Sequence, residues 1–386
     1  MSLSATPRIG FIGAGRLARC VARRFARAGY DVVAVASRSS ASAAALAAQI
    51  DAERAARQAG SNPAPHSALN SVPNITPDVA ANGAPNASSK TASKVPSSAA
   101  SQAASSVAPA SAPDAGRSRA RCAALDSPQA VVDAADLIFV TTPDDALGRI
   151  AAELRFAPAR AGEQALVHCS GASGVDLLDP ARAQGAATGG FHPLYLFGGD
   201  DADLARIDGC SVTIEADGAL KDALKDALKD ALMALAAALG CHPLSIPAGG
   251  RMLYHAAANY AASFALCNLA ECVELWRSLG FAEDDALRAL LPMLAGTIET
   301  ARDKGLANAL AGPVSRGDVG IVERQLALLE SRGGDHAAFY AFHTRRAVAL
   351  ARRRASPPPS LDALERALDA SLARSLDLAR PACDEP

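Results

Sequence analysis

The chain has 386 residues, half of them hydrophobic but only 4% aromatic, so alanine must supply much of the apolar total. Its 38 basic and 40 acidic side chains leave a net charge of −2, which excludes the basic face that nucleic acid requires and a strongly acidic tail. Eight cysteines without a CxxC pair predict reduced thiols in a cytoplasmic protein, with no metal site. The opening MSLSATPRIGFIGAG runs into a strand without a signal core. The most apolar stretch, 256–270, is interrupted by Asn259, Ser263 and Asn268. It is shorter than the roughly 20 residues a bilayer span needs, so no membrane partner is expected.

In chain order, residues 8–12 read as a strand, 16–28 as a helix ending at Gly29, 31–36 as a second strand and 40–58 as a helix. From 60 to 116 the chain is Ala, Ser, Pro and Asn with no aromatic residue and eight prolines. That segment cannot bury enough apolar surface to offset its ordering entropy, and it reads as a disordered insertion. Beyond it, 137–141 is a buried strand followed by a helix start at Pro143. Residues 165–169, 187–192 and 210–215 are further strands, with 244–246 closing the set. The repeat ALKDALKDALKDAL from Ala219 predicts an amphipathic surface helix. From Arg251 only helices follow, at 251–279, 283–304, 318–330 and 335–354, and a last one at 361–378 follows a PPPS break. Strands alternating with helices predict an α/β fold, a Rossmann-type doubly wound, mostly parallel sheet, followed by an all-helical domain. The expected domains are 7–248, containing the 60–116 insertion, then 249–354, then a 355–386 extension with one helix.

The chemistry begins where the first strand meets its helix, at Gly13, Ala14, Gly15, Arg16, Leu17 and Ala18. A GxGxxG/A turn between a strand and a helix is the context a dinucleotide pyrophosphate needs, since the helix N-terminus offers free N–H groups. About 20 residues on, where an NAD site places an acid, the sequence has Ser37 and Arg38. Arginine and hydroxyls there favour NADP(H) over NAD(H). Thr141, Thr142 and Pro143 end one later strand, Ser170 follows another, and His192 ends a third. All are expected at the crevice where such sheets bind ligands. His255 and Asn259 lie four apart on one helix face, which Ser263 continues, and this polar stripe among alanines calls for a ligand or a packing network. Arg316, in a loop before a helix, can clamp a carboxylate, and Asp318 is a candidate N-cap.

The ordered motifs GFIGAGRLA, ADLIFVTTPDDAL, HCSG, GGFHPL, LYHAAANYAAS and AGPVSRGD resemble a family of two-domain oxidoreductases related to ketopantoate reductase, pyrroline-5-carboxylate reductase and the β-hydroxyacid dehydrogenases. The resemblance spans about residues 8–354, apart from the insertion. It implies an NADP-linked reductase with its site between a Rossmann-like domain and a helical domain of unknown function. Where better-known relatives carry a Lys and an Asn on the first long C-terminal helix, this sequence offers His255 and Asn259, with no lysine between Lys229 and Lys304. The expected roles follow. Residues 13–17, Ser37 and Arg38 hold the dinucleotide phosphates; Thr141, Thr142, Pro143 and Ser170 border the nicotinamide and its ribose. His255 donates a proton, Asn259 and His192 position the reacting group, and Ser263 and Arg316 contact substrate. The expected reaction is hydride transfer to the carbonyl carbon of a small carboxylate metabolite, of ketopantoate type. An imine reductase and a non-catalytic NADP-binding sensor are the alternatives. A homodimer through the alanine-rich helical domain is expected.

Overall fold

The computed structural model describes residues 6–60, 121–216, 222–247 and 249–378. Apart from Gly60, the segment read as an insertion lies outside them, as do the first three residues of the ALKD repeat. The chain divides into two compact units, 1–263 and 264–386.

The first unit is built on one sheet. Its strands are β1 (Ile9–Ile12), β2 (Val32–Ala36), β3 (Ala123–Leu125), β4 (Leu137–Val140), β5 (Ala165–His168), β6 (Ala187–Pro193), β7 (Ser211–Ala216) and β8 (His242–Ser245). They lie in the order β3-β2-β1-β4-β5-β6-β7-β8, with every pairing parallel except β6 with β7. The order reverses between β1 and β4, and such a switch point opens a crevice at the carboxyl ends of the strands. Four helices labelled here connect the front half: α1 (Arg16–Ala28), α2 (Ser40–Gln58), α3 (Pro128–Ala134) and α4 (Asp144–Glu153). Gly29 stops α1 in a left-handed turn at φ 94°. Ser39 caps α2 by accepting from Ser42 N, and Ser127 caps α3 by accepting from Ala130 N, with Pro128 at the first helical position.

Both faces of the sheet are buried. The scarce aromatic residues are concentrated on one face, where Phe11, Phe25, Phe139 and Phe191 are fully buried. Phe11 stacks on Phe139 at 5.3 Å, and Phe191 meets Phe139 edge-on at 5.5 Å. Aliphatic side chains such as Ile138, Val140 and Leu147 fill the other face. The doubly wound, mostly parallel fold read from the sequence is thus present.

Several boundaries differ from the sequence reading. β3 and α3 had no expected counterpart, because three residues of AAL and a seven-residue helix carry too little periodicity to read. The last strand begins at His242, not 244. The single helix expected over 251–279 breaks at Ala262, whose φ −114° and ψ −81° are not helical, into Arg251–Ala261 and Ser263–Arg277. The compact division accordingly falls after Ser263 rather than after 248, since the first of these helices is tied to the sheet by Arg251.

Among the described residues, the second unit is built of helices and their connections. Its main core joins Val322 and Leu326 of the helix Val319–Arg332, Ala341 and Val348 of His336–Ala351, and Leu361, Leu364 and Leu368 of Leu361–Leu378. The last helix, expected in a separate extension, therefore supplies part of this core. Leu364 is fully buried, and its truncation to Ala should destabilise the helical unit by about 2–5 kcal/mol. Urea denaturation should show this loss, whereas Leu328→Ala, at an exposed position of the same unit, should change stability by less than about 0.5 kcal/mol.

Candidate functional site

The β1–α1 turn fits only glycine at its first position. Gly13 has φ 118°, and a Cβ there would lie 2.6 Å from Thr141 Oγ1 and 2.9 Å from the Thr141 backbone. Gly13 N donates to Ala36 O at 2.8 Å, Thr141 N donates to Ile12 O at 2.8 Å, and Thr141 Oγ1 donates to Gly13 O at 3.2 Å. These bonds draw the ends of β1, β2 and β4 together. Gly15 is the opposite case: nothing lies within 4 Å of its Cβ position, and as the N-cap of α1 it supplies no side-chain acceptor. The first N–H groups of α1 are thus left for a ligand. Ala18 is fully buried, which fits the close helix–sheet packing that position demands.

Around this turn lies a cavity of about 620 Å³ lined by Gly13, Ala14, Gly15, Ser37, Arg38, Thr141, Thr142 and Pro143, among others. Eight of the residues expected from the sequence to bind the dinucleotide therefore surround one space. Thr142 Oγ1 is buried there without a hydrogen-bond partner. An orphaned hydroxyl, an uncapped helix N-terminus and a glycine with open space above it suit a polyoxygen ligand such as a dinucleotide. Asp126, which the sequence reading did not single out, also lines this cavity at the end of β3.

Three expected residues turn their side chains elsewhere. The exposed Arg16 lies against Gly199 in the loop after β6, whose conformation Asp203 fixes by accepting from Gly198 N, Gly199 N and Tyr195 Oη. Leu17 packs on the sheet core. Ser170 turns its hydroxyl into its own loop, accepting from Ala172 N and Ser173 N at 3.2 and 2.9 Å.

A second group gathers at the ends of β5 and β6. A Cβ on Gly171 would fall 2.8 Å from the His192 ring and 2.9 Å from His255 Cδ2, so the two imidazoles meet over that glycine. His192 Nδ1 lies 3.1 Å from Tyr254 Oη, and Thr213 Oγ1 donates to His192 O at 3.3 Å. Burial, with lesser contributions from the Arg251 guanidinium and His255, lowers the His192 pKa to about 4. Burial and Arg251 lower that of His168 to about 3. Both rings are neutral near pH 7, so His192 serves as a hydrogen-bonding group rather than an imidazolium. Burial raises the pKa of Tyr254 and keeps its phenol protonated. Tyr254 and Arg251 are the residues sequence reasoning missed here; Tyr254 sits in the LYHAAAN segment and Arg251 two residues before it, but their partners are distant in sequence.

His255 and Asn259 share the helix Arg251–Ala261 as expected. Ser263 does not continue their stripe, because the break at Ala262 makes it the first residue of the next helix. Arg316 belongs to the helical unit, where its Nε donates to Asp318 Oδ2 at 2.8 Å. Asp318 makes no side-chain cap bond to its helix; its carboxylate is engaged by Arg316 instead.

Comparison with known proteins places this geometry. Residues 8–64 match the family model described as NADP oxidoreductase coenzyme F420-dependent, residues 87–193 match a Rossmann-like domain, and residues 219–347 match the domain of unknown function DUF2520. A Rossmann-like fold, matched over its first segment by an oxidoreductase family model, is thus followed by a region matched by DUF2520. The chain resembles in fold a protein from Thermotoga maritima, 16% identical over 90% of this chain and 100% of that one, with TM-score 0.55. It also resembles a predicted NADP oxidoreductase from Bacteroides fragilis, at 18% identity, 88% and 97% coverage and TM-score 0.53. A pyrroline-5-carboxylate reductase from Streptococcus pyogenes is similar at 11% identity, 96% and 100% coverage and TM-score 0.49. No curated protein matches the chain in sequence. The comparisons give no support to the ketopantoate-type substrate expected from the sequence. Among the described residues, no helix is long and apolar enough to cross a membrane.

The buried histidines tie stability to pH. Their folded pKa values lie below the unfolded value of 6.5, so the unfolded chain binds more protons as pH falls below 6.5. Their neutral-state stabilisation is complete above 6.5 and is lost as pH falls from there to about 4 for His192 and about 3 for His168. The melting temperature of the protein should fall between pH 7 and pH 5, and His192→Gln should flatten that slope.

Proposed function

We propose that the protein is an NADPH-dependent reductase that delivers hydride to the C=O carbon of a small carboxylate-bearing metabolite. The observation that carries this reading is the cavity at the β1/β4 switch point, where Gly15, Thr142 and Arg38 converge. When bound, the nicotinamide supplies the hydride. The protein supplies position and charge. The N–H groups at the start of α1 hold the pyrophosphate, and Arg38 with Ser37 holds the ribose 2′-phosphate. Thr142 donates its unpartnered hydroxyl to the cofactor.

At the ends of β5 and β6 the chain provides its acid–base groups. His255 donates the proton that the substrate oxygen takes up as its carbon is reduced. His192, held neutral by burial, keeps Tyr254 oriented through the 3.1 Å contact. Asn259, one turn along the helix from His255, orients the substrate oxygen.

The reading is tested by steady-state oxidation of NADPH with a panel of 2-oxo acids. Arg38→Ala should raise KM for NADPH by about ten- to a hundredfold, the worth of a charged hydrogen bond, while KM for NADH changes less than about twofold. An equal effect on both cofactors would contradict the 2′-phosphate assignment. His255→Ala should lower kcat by about a hundredfold or more with KM for NADPH unchanged; unchanged kcat would remove His255 as the acid.

A further inference from the structure

The dinucleotide cavity leaves one polar cluster unused. β5 ends at His168, β6 passes beside it at Gly190, and the first turn of the helix Arg251–Ala261 sets Arg251 against both. Arg251 is 6% exposed and His168 fully buried. Two of the three guanidinium nitrogens are occupied: Nε donates to Glu215 Oε2 at 2.5 Å and Nη1 donates to Ser170 O at 2.7 Å. The third, Nη2, is buried with no partner.

The tautomer of His168 follows from its neighbour. Ser170 N, which can only donate, lies 3.2 Å from His168 Nδ1, so Nδ1 is the acceptor and the neutral ring carries its proton on Nε2. That N–H is also buried without an acceptor. Both side chains press on Gly190, where a Cβ would collide with Arg251 Nη2 and lie 3.5 Å from His168 Cε1. Two orphaned donors, one cationic, therefore sit side by side in the same buried corner. Leaving such groups unmatched is costly, most of all for a charged one, so the corner is built for an acceptor.

Arg251 also forms part of the wall of a cavity of about 420 Å³, together with Glu215, Met252, Asp176, Asp179 and Arg182. Three carboxylates against two guanidiniums in that lining disfavour a multiply charged anion such as phosphate. A single carboxylate fits, because the guanidinium and the imidazole N–H both donate and neither needs a proton in return.

We propose that Arg251 Nη2 and His168 Nε2 bind a carboxylate oxygen of the substrate, reached from this cavity. The assignment rests on the reductase reading above and gives the carboxylate role to Arg251 in place of Arg316, which is engaged by Asp318.

The test is calorimetric titration of the NADP⁺-saturated full chain with matched pairs, pyruvate against pyruvamide and L-proline against L-prolinamide, and with inorganic phosphate. At least one acid should bind ten times or more as tightly as its amide, and phosphate should not displace it. His168→Leu and Arg251→Met should each erase that preference while leaving NADP⁺ affinity within twofold. If Arg251→Met loses NADP⁺ binding through misfolding, His168→Leu carries the comparison alone. No acid–amide preference in the wild type, a preference that survives in the folded variants, or equal competition by phosphate would overturn the proposal. A preference that behaves as described without NADPH oxidation by any acid would uphold the carboxylate site and remove the reductase reading.

Discussion

The first unit depends on a close approach of backbone to backbone. Where β1 ends, Gly13 touches the Thr141 backbone with no room for a side chain, and three hydrogen bonds join the ends of β1, β2 and β4 at that point. Only a residue free to adopt φ 118° can make the turn. Because the turn is closed so tightly, α1 starts immediately above the switch point, and its unpaired N–H groups face the cavity between the strand ends. The phenylalanine cluster beneath it holds Phe11 of β1 against Phe139 of β4. Core packing and ligand geometry are thus set by the same pair of strands.

A second constraint organises the other half of the sheet. Arg251 joins the first turn of its helix to Ser170 after β5 and to Glu215 on β7. That anchor determines where Tyr254 and His255 stand, one above His192 and the other over Gly171. It also has an electrostatic effect. A buried guanidinium beside two imidazoles adds to desolvation in keeping His168 and His192 neutral. Their ring nitrogens can then take fixed donor and acceptor roles, as the contacts to Ser170 and Tyr254 require.

What could be read in advance follows from the range of each interaction. The glycine turn, α1 and the early strands are short-range patterns, and the strand–turn–helix context made the place of residues 13–15 at the strand-end cavity legible. Ser37, Arg38 and Thr142 could be placed because strand ends in such sheets converge. β3 and α3 were not legible, since each is short and neither has a distinct period. The break at Ala262 has no glycine or proline to mark it. Tyr254 and His192 are 62 residues apart, and Arg251 and Ser170 are 81 apart; no local pattern announces either pair. Arg316 was read as available for a ligand because its ion pair with Asp318 depends on the conformation of the Gly317 turn, which residue types alone do not give.

The central claim is that the cavity at the β1/β4 switch point takes NADPH. Hydrogen–deuterium exchange of the full chain with and without saturating NADPH tests it most directly, because the claim names the amides involved. Exchange should slow in peptides covering residues 13–18, 36–42 and 141–144, with smaller changes in the helical unit. Unchanged exchange at 13–18 under saturating NADPH, or protection confined to residues beyond 263, would contradict the account.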